Sequence, residues 1–148
     1  MPEMRYDPLH GHWVLISAER AARPFDLQTP PVRIDEKFNP FLEGREDRTT
    51  PEIVAIRPGT ARPNQPGWKL RVVPNKYPVV HVESQNESGT TGVYRFRSGL
   101  GAHEVIIEHP DAMQQPATMS GDDLNLVFKV YRDRMIDLMK DRRIRYVS

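Results

Sequence analysis

Three short segments carry the residue types that could do chemistry. Arg20 and Arg23 lie three residues apart in Glu19-Arg20-Ala21-Ala22-Arg23-Pro24. Each guanidinium offers a planar fork of N–H donors, so two on one turn can grip a phosphate bidentately. The same pair on an exposed loop would be solvated surface. Val73-Pro74-Asn75-Lys76-Tyr77-Pro78 is the second segment, with prolines on both sides fixing the backbone. Asn75 could pair with a base edge or ribose, Lys76 with phosphate, and Tyr77 could pack on a base or sugar. A well-made hairpin turn explains the same residues. The third segment, His10-Gly11-His12, sits in a turn where the two imidazoles need not converge. With His81, His103 and His109 these make five histidines, and no nucleophile–base pair stands out among them. His103 precedes the apolar Val105-Ile106-Ile107 run, where a hydrogen-bonded structural histidine is more common than a ligand.

Composition narrows the partners. A formal net charge of +1 over 148 residues is too small to argue for a nucleic-acid or membrane surface. Sixteen of the 21 basic residues are arginine, a skew that suits phosphate recognition and that genomic base composition explains equally well. There is no cysteine, so neither a disulfide framework nor a cysteine-based zinc site can form. The first residues lack the apolar core of a signal peptide, and no run approaches the ~18 apolar residues of a membrane span. A cytoplasmic protein is the expectation.

The positioning elements follow from pattern. Trp13 to Ser17 reads as a strand after a turn at Asp7-Pro8 and Gly11. Residues 20 to 50, rich in proline and charge, read as a long irregular loop, the kind that often serves function. Glu52 to Ile56 predicts a short strand, and Arg57 to Gly67 a connection. Trp68 to Val73 and Val79 to Val82 predict strands on either side of the Pro74–Pro78 turn. Residues 83 to 92 read as a mobile polar loop, and His103 to Glu108 as a buried strand. One helix is plain: Ser120 and Asp123 form a capping-box pattern, and Leu124, Val127, Phe128, Tyr131, Met135, Leu138 and Met139 recur at helical spacing. Arg143 to Ser148 predicts a last strand. The expected fold is α+β, an antiparallel β-sheet with one long helix packed on a face, in one domain over residues 1–148.

Five ordered segments carry a family resemblance across nearly the whole chain. They are Arg5 to Ser17 with Glu19 to Pro24, Asn39-Pro40-Phe41-Leu42-Glu43-Gly44, Thr50-Pro51-Glu52-Ile53, Trp68 to Pro78, and Gly101 to Glu108. In order and separation they resemble the amino-terminal half of the galactose-1-phosphate uridylyltransferases of the histidine-triad superfamily. The resemblance implies antiparallel sheets with packed helices and a homodimer. It implies exchange of a uridylyl group between a nucleotide sugar, UDP-glucose, and a sugar 1-phosphate by a ping-pong route through a uridylyl-histidine. Carried over, Arg20 and Arg23 match arginines that reach the phosphates, Asn75 and Lys76 match a pair at the uridine, and Tyr77 matches an aromatic beside the base. Lys76 stands where some members have an acid.

Two departures qualify the likeness. The family's zinc ligands in this half, two knuckle cysteines and a histidine, are replaced here by Asn39, Leu42 and Ala112. That zinc is therefore expected to be absent, its loop held by packing, through Phe38 and Phe41. The nucleophilic histidine belongs to a motif expected beyond Ser148, so the 148 residues are expected to be an incomplete domain, inactive alone. Losing the zinc ligands marks a divergent branch, which leaves an adenine-nucleotide transferase or phosphorylase of the same superfamily as the alternative. A catalytically silent nucleotide-binding module is a third reading. No nucleic-acid or membrane partner is expected.

Overall fold

The computed structural model describes residues 2–18, 20, 39–60 and 62–148. Seven strands and one long helix follow in chain order among these described residues. They are β1 (Glu3–Asp7), β2 (His12–Ile16), β3 (Val54–Ile56), β4 (Leu70–Pro74), β5 (Ser88–Thr91), β6 (Tyr94–Ser98), β7 (Glu104–Ile107) and α1 (Gly121–Leu138). The class is α+β and antiparallel as expected, but the strands divide into a four-stranded sheet, β2-β1-β6-β5, and a three-stranded sheet, β3-β4-β7. They fall in two compact units, one of Met1–Phe25, Tyr77–His103 and Asp137–Ser148, the other of Asp26–Lys76 and Glu104–Ile136.

The second unit is organised by β4. Leu70, Arg71, Val72 and Val73 are all buried, because the strand is central and covered on both faces. That double burial explains why Trp68 to Val73 alternates only weakly. Leu70 and Val72 pack against Val127 and Val130 of the helix, with Tyr131 and Leu126 at the margin. Trp68, Val73 and Ile107 form a second cluster. The Ser120 hydroxyl caps the helix by accepting from the Asp123 N–H at 3.1 Å and donating to the Asp123 carboxylate at 2.6 Å. The inward stripe is rotated from the expected one. Phe128, Met135 and Met139 are 59%, 43% and 58% exposed, while Val130, outside that stripe, is buried. The helix is apolar on more than one side, so periodicity alone does not say which side a three-stranded sheet will cover.

The first unit holds strands that polar sequence conceals. β1 pairs with β2 from Glu3↔Ile16 to Asp7↔His12, and with β6 from Glu3↔Ser98 to Arg5↔Phe96. Residues 83 to 92 are not one loop: Ser88–Thr91 form β5 and pair with β6. Gly92, at φ 61, supplies the left-handed residue that the two-residue turn before Tyr94 requires. Val79 to Val82 is not a strand; only a single bridge joins His81 to Leu100. Nor is Arg143 to Ser148, where the chain turns after the helix through an Ile144 N–H to Asp141 carbonyl bond of 2.9 Å and no strand partner is present among the described residues. A β-favouring run becomes a strand only when a neighbour takes its backbone bonds.

Candidate functional site

The Asn75-Lys76-Tyr77 segment follows the end of β4, Asn75 and Lys76 belonging to one unit and Tyr77 to the other. On the β4 side, Pro74 lies in register with Glu104, and its carbonyl accepts from the Thr50 hydroxyl at 2.5 Å. Lys76 is exposed and Asn75 half-buried, each in the unit that holds β4. In the first unit, the Ser17 hydroxyl donates to the Pro78 carbonyl at 3.4 Å, and the Val79 N–H donates to Nδ1 of His103 at 3.2 Å. Tyr77 is half-buried there. Arg20 follows β2 directly, its N–H bonded to the Ser17 carbonyl at 3.3 Å. Ser17 thus ties the segment carrying Arg20 to the segment carrying Tyr77, within one unit. Arg23 lies outside the described residues, as does Phe38.

The histidines have structural partners. His103 accepts from Val79, and Nδ1 of His109 accepts from the Asp111 N–H at 3.0 Å. His10 pairs with Asp7 at 2.7 Å, which holds the Asp7 carboxyl below its ordinary range. The His10 and His12 rings lie 5.7 Å apart, closer than a turn need bring them, yet no group of three metal-ligating side chains occurs among the described residues.

The described part of the knuckle segment is tied down by hydrogen bonds, and the expected packing through Phe38 lies outside the described residues. Phe41 is 39% exposed. The Asn39 side-chain oxygen accepts from the Phe41 N–H at 2.9 Å, and the Asn39 carbonyl accepts from Arg45 at 2.9 Å. Glu43 accepts from the Gly67 N–H at 2.6 Å, and the buried Glu46 from the Trp68 indole at 2.7 Å and the Gly44 N–H at 3.1 Å. Burial pushes the Glu46 carboxyl up, but these donors outweigh it and hold it below its ordinary value. Asn39 is thus engaged, and Leu42 and Ala112 have no donor atom to offer. The residues present do not fit the tetrahedral zinc of soft and imidazole ligands.

Beside the knuckle lies a network that sequence reading missed. Arg71, 1% exposed, donates to Glu52 at 3.0 Å, Thr49 at 2.8 Å and Asn64 at 3.2 Å, while Arg57 grips Glu52 with both terminal nitrogens at 2.6 and 2.7 Å. The Arg57 bonds are the main reason that Glu52 is held down to about 2. Within the same unit Arg134 pairs with Glu104 at 2.7 Å, and the Tyr131 hydroxyl donates to Glu108. Burial first, then Glu108, pushes the Tyr131 phenol up to about 12.

Two antiparallel sheets and one long helix define an α+β architecture. Residues 1–148 match the family model for the N-terminal domain of galactose-1-phosphate uridyl transferase over their full length, and the chain belongs to that family. An ADP-glucose phosphorylase of Arabidopsis thaliana is 32% identical over 152 residues, covering 99% of this chain and 42% of the relative. The crystal structure of an ADP-glucose phosphorylase from that plant with bound ADP-glucose aligns with a TM-score of 0.55 at 27% identity, over 99% of this chain and 41% of the other. A uridylyltransferase structure aligns with a TM-score of 0.63 at 22% identity, over 97% of this chain and 37% of the other, a likeness of fold. The chain therefore spans about two fifths of the length of the relatives it matches. No helix among the described residues is long and apolar enough to cross a membrane.

Proposed function

We propose that the protein to which this chain belongs transfers a nucleotidyl group from a nucleotide sugar to a phosphate-bearing acceptor through a covalent nucleotidyl-histidine. In this reading Arg20 and Arg23 hold the diphosphate, Asn75 and Lys76 the nucleoside, and Tyr77 packs beside the base. The observation that carries it is the family match over all 148 residues. The similarity to an ADP-glucose phosphorylase favours an adenine nucleotide sugar as donor and inorganic phosphate as acceptor. A hexose-1-phosphate uridylyltransferase using UDP-glucose and a sugar 1-phosphate is the second reading, supported by the family's own description. A homodimer, with the arginines reaching the phosphates across the subunit interface, accompanies either reading.

The test compares ADP-glucose with UDP-glucose in turnover by the complete protein. A higher kcat/KM for ADP-glucose is expected, and a strong preference for UDP-glucose would transfer the protein to the second reading. Arg20→Ala should lower kcat/KM for the preferred sugar at least tenfold, because a charge-assisted contact contributes about 1.5–3 kcal/mol. An unchanged kcat/KM would remove Arg20 from the site.

We also infer that the knuckle holds no metal. Its loop already satisfies polar groups through Asn39, Glu43 and Glu46, and the chain has no cysteine thiolate to offer a zinc ion. Elemental analysis of the purified chain should find zinc far below one equivalent, with thermal stability unmoved by a chelator. About one tightly held zinc per chain would contradict this.

A further inference from the structure

The four-stranded sheet carries a cluster of cations and rings that the nucleotide site does not use. Side chains alternate between faces along a strand, so the register places Met4, Tyr6, Trp13, Leu15, Ser88, Thr90, Arg95 and Arg97 on one face. The pairing is pinned from the other face, where the Phe96 ring lies so close to Gly89 that an added Cβ would meet it at 2.8 Å. On the first face the Arg95 guanidinium sits 3.9 Å from the Tyr6 ring centre and 5.7 Å from that of Trp13. The Arg97 guanidinium lies 4.8 Å from the same Trp13 ring, and Tyr6 and Trp13 are 5.4 Å apart. Two exposed cations thus converge on one indole. Neither forms an ion pair with any carboxylate among the described residues, and the carboxylates of β1, Glu3 and Asp7, belong to the opposite face.

A bound anion would relieve this arrangement. Like charges side by side repel, and cation–π contact offsets only about 0.5–1 kcal/mol at an exposed site. A guanidinium laid flat on a ring keeps its in-plane N–H edge for other partners, the edge that meets phosphate oxygens in pairs. Ser88 stands directly across from Arg97 in the strand register and Thr90 across from Arg95, so two hydroxyl-bearing residues share the face with the two arginines. An open cleft of about 220 Å³ lies over these residues, lined by Trp13, Ser88, Gly89, Thr90, Arg95, Phe96 and Arg97. That volume is below the roughly 300–1,000 Å³ of a site that takes a whole drug-sized ligand. It suits a phosphoryl group with a small remainder. A nucleic-acid strand fits poorly, because the Tyr6 face that a base would stack on is covered by Arg95.

We propose that this cleft is a second anion site, binding a phosphate-bearing small molecule through Arg95 and Arg97 with Ser88 and Thr90, on a platform of Tyr6 and Trp13. It does not depend on the nucleotide reading. The test follows the indole N–H signals of Trp13 and Trp68 and the Nε–H signals of Arg95 and Arg97 by NMR. Inorganic phosphate, then pyrophosphate, is added to the 148-residue chain at constant ionic strength set with chloride. A saturable displacement of the Trp13, Arg95 and Arg97 signals is expected, with Trp68, buried in the other unit, unmoved. The displacement should persist in Arg20→Ala, which separates this site from the nucleotide site. Arg95→Ala with Arg97→Ala should weaken binding at least tenfold, and the paired lysine variant, which keeps charge but not the fork, should fall between. Should the alanine pair unfold the sheet, Ser88→Ala with Thr90→Ala, two exposed hydroxyls, should weaken binding several-fold. No saturable displacement, the same displacement from chloride alone, or an unchanged Kd in a folded variant would overturn the proposal.

Discussion

Glu52→Ala will destabilise the unit built on β4 by about 3–5 kcal/mol, the usual cost of removing one partner from a buried ion pair. Glu52 is 6% exposed and Arg71 1%, so solvent cannot take over the role of the lost carboxylate. Arg71 would keep Thr49 and Asn64 as neutral acceptors but lose its counter-charge, and Arg57 would lose both of its strongest bonds. Urea unfolding followed by the emission of Trp68, buried in this unit, reads the change. Glu52→Gln, which retains one acceptor oxygen, should lie between.

The pH dependence of the same pair has a definite sign. The folded carboxyl is held down to about 2 from 4.5, so its contribution is fully present above about pH 4.5. It is lost as pH falls through that interval towards 2, for a total of about 3 kcal/mol. The difference in stability between the native chain and Glu52→Gln should therefore shrink as the solution is acidified. A constant difference from pH 6 to pH 3 would show that Glu52 is not the group responsible.

The 148-residue chain alone will release no glucose 1-phosphate from a nucleotide sugar above background, whatever the activity of the protein that contains it. Nucleotidyl transfer by a covalent route needs an imidazole placed in line with the α-phosphorus. On the proposed reading none of the five histidines takes the nucleophile's role. Nδ1 of His103 accepts from a backbone N–H that fixes the end of the proline-bounded turn, and Nδ1 of His109 accepts from Asp111. His10 is paired with Asp7 in an exposed turn. On the proposed reading what remains orients phosphate and nucleoside, and orientation alone forms no covalent intermediate. Product release at a rate comparable to the complete protein would contradict this.

Much of the fold can be read from the residues, and the failures share a physical cause. β2, β3, β4 and β7 carry apolar or β-branched runs, and the helix announces itself through Ser120 and Asp123. β1, β5 and β6 are polar or alternate charged with aromatic side chains, so they display no apolar run. Ser88-Gly89-Thr90-Thr91 becomes a strand only by pairing with β6 across the Gly92 turn. The Glu52–Arg71 network was hidden for another reason: its partners are separated by 19 residues and share no period. Arg71 inside Leu70-Arg71-Val72-Val73 was the available signal, since a cation in a buried run requires a counter-charge. The candidate site was readable as short motifs, whereas the arrangement of Arg95 and Arg97 over Trp13 depends on a register that only pairing sets.

Covalent labelling tests the central claim most directly. The complete protein is incubated with the nucleotide sugar carrying radiolabel in its α-phosphate, without acceptor, and the label is mapped by proteolysis. The expected result is an acid-labile, base-stable phosphoramidate on a histidine outside residues 1–148, discharged when the acceptor is added and weakened at least tenfold in its rate of formation by Arg20→Ala. Stoichiometric label on His10, His12, His81, His103 or His109, or turnover without any labelled protein, would contradict the account.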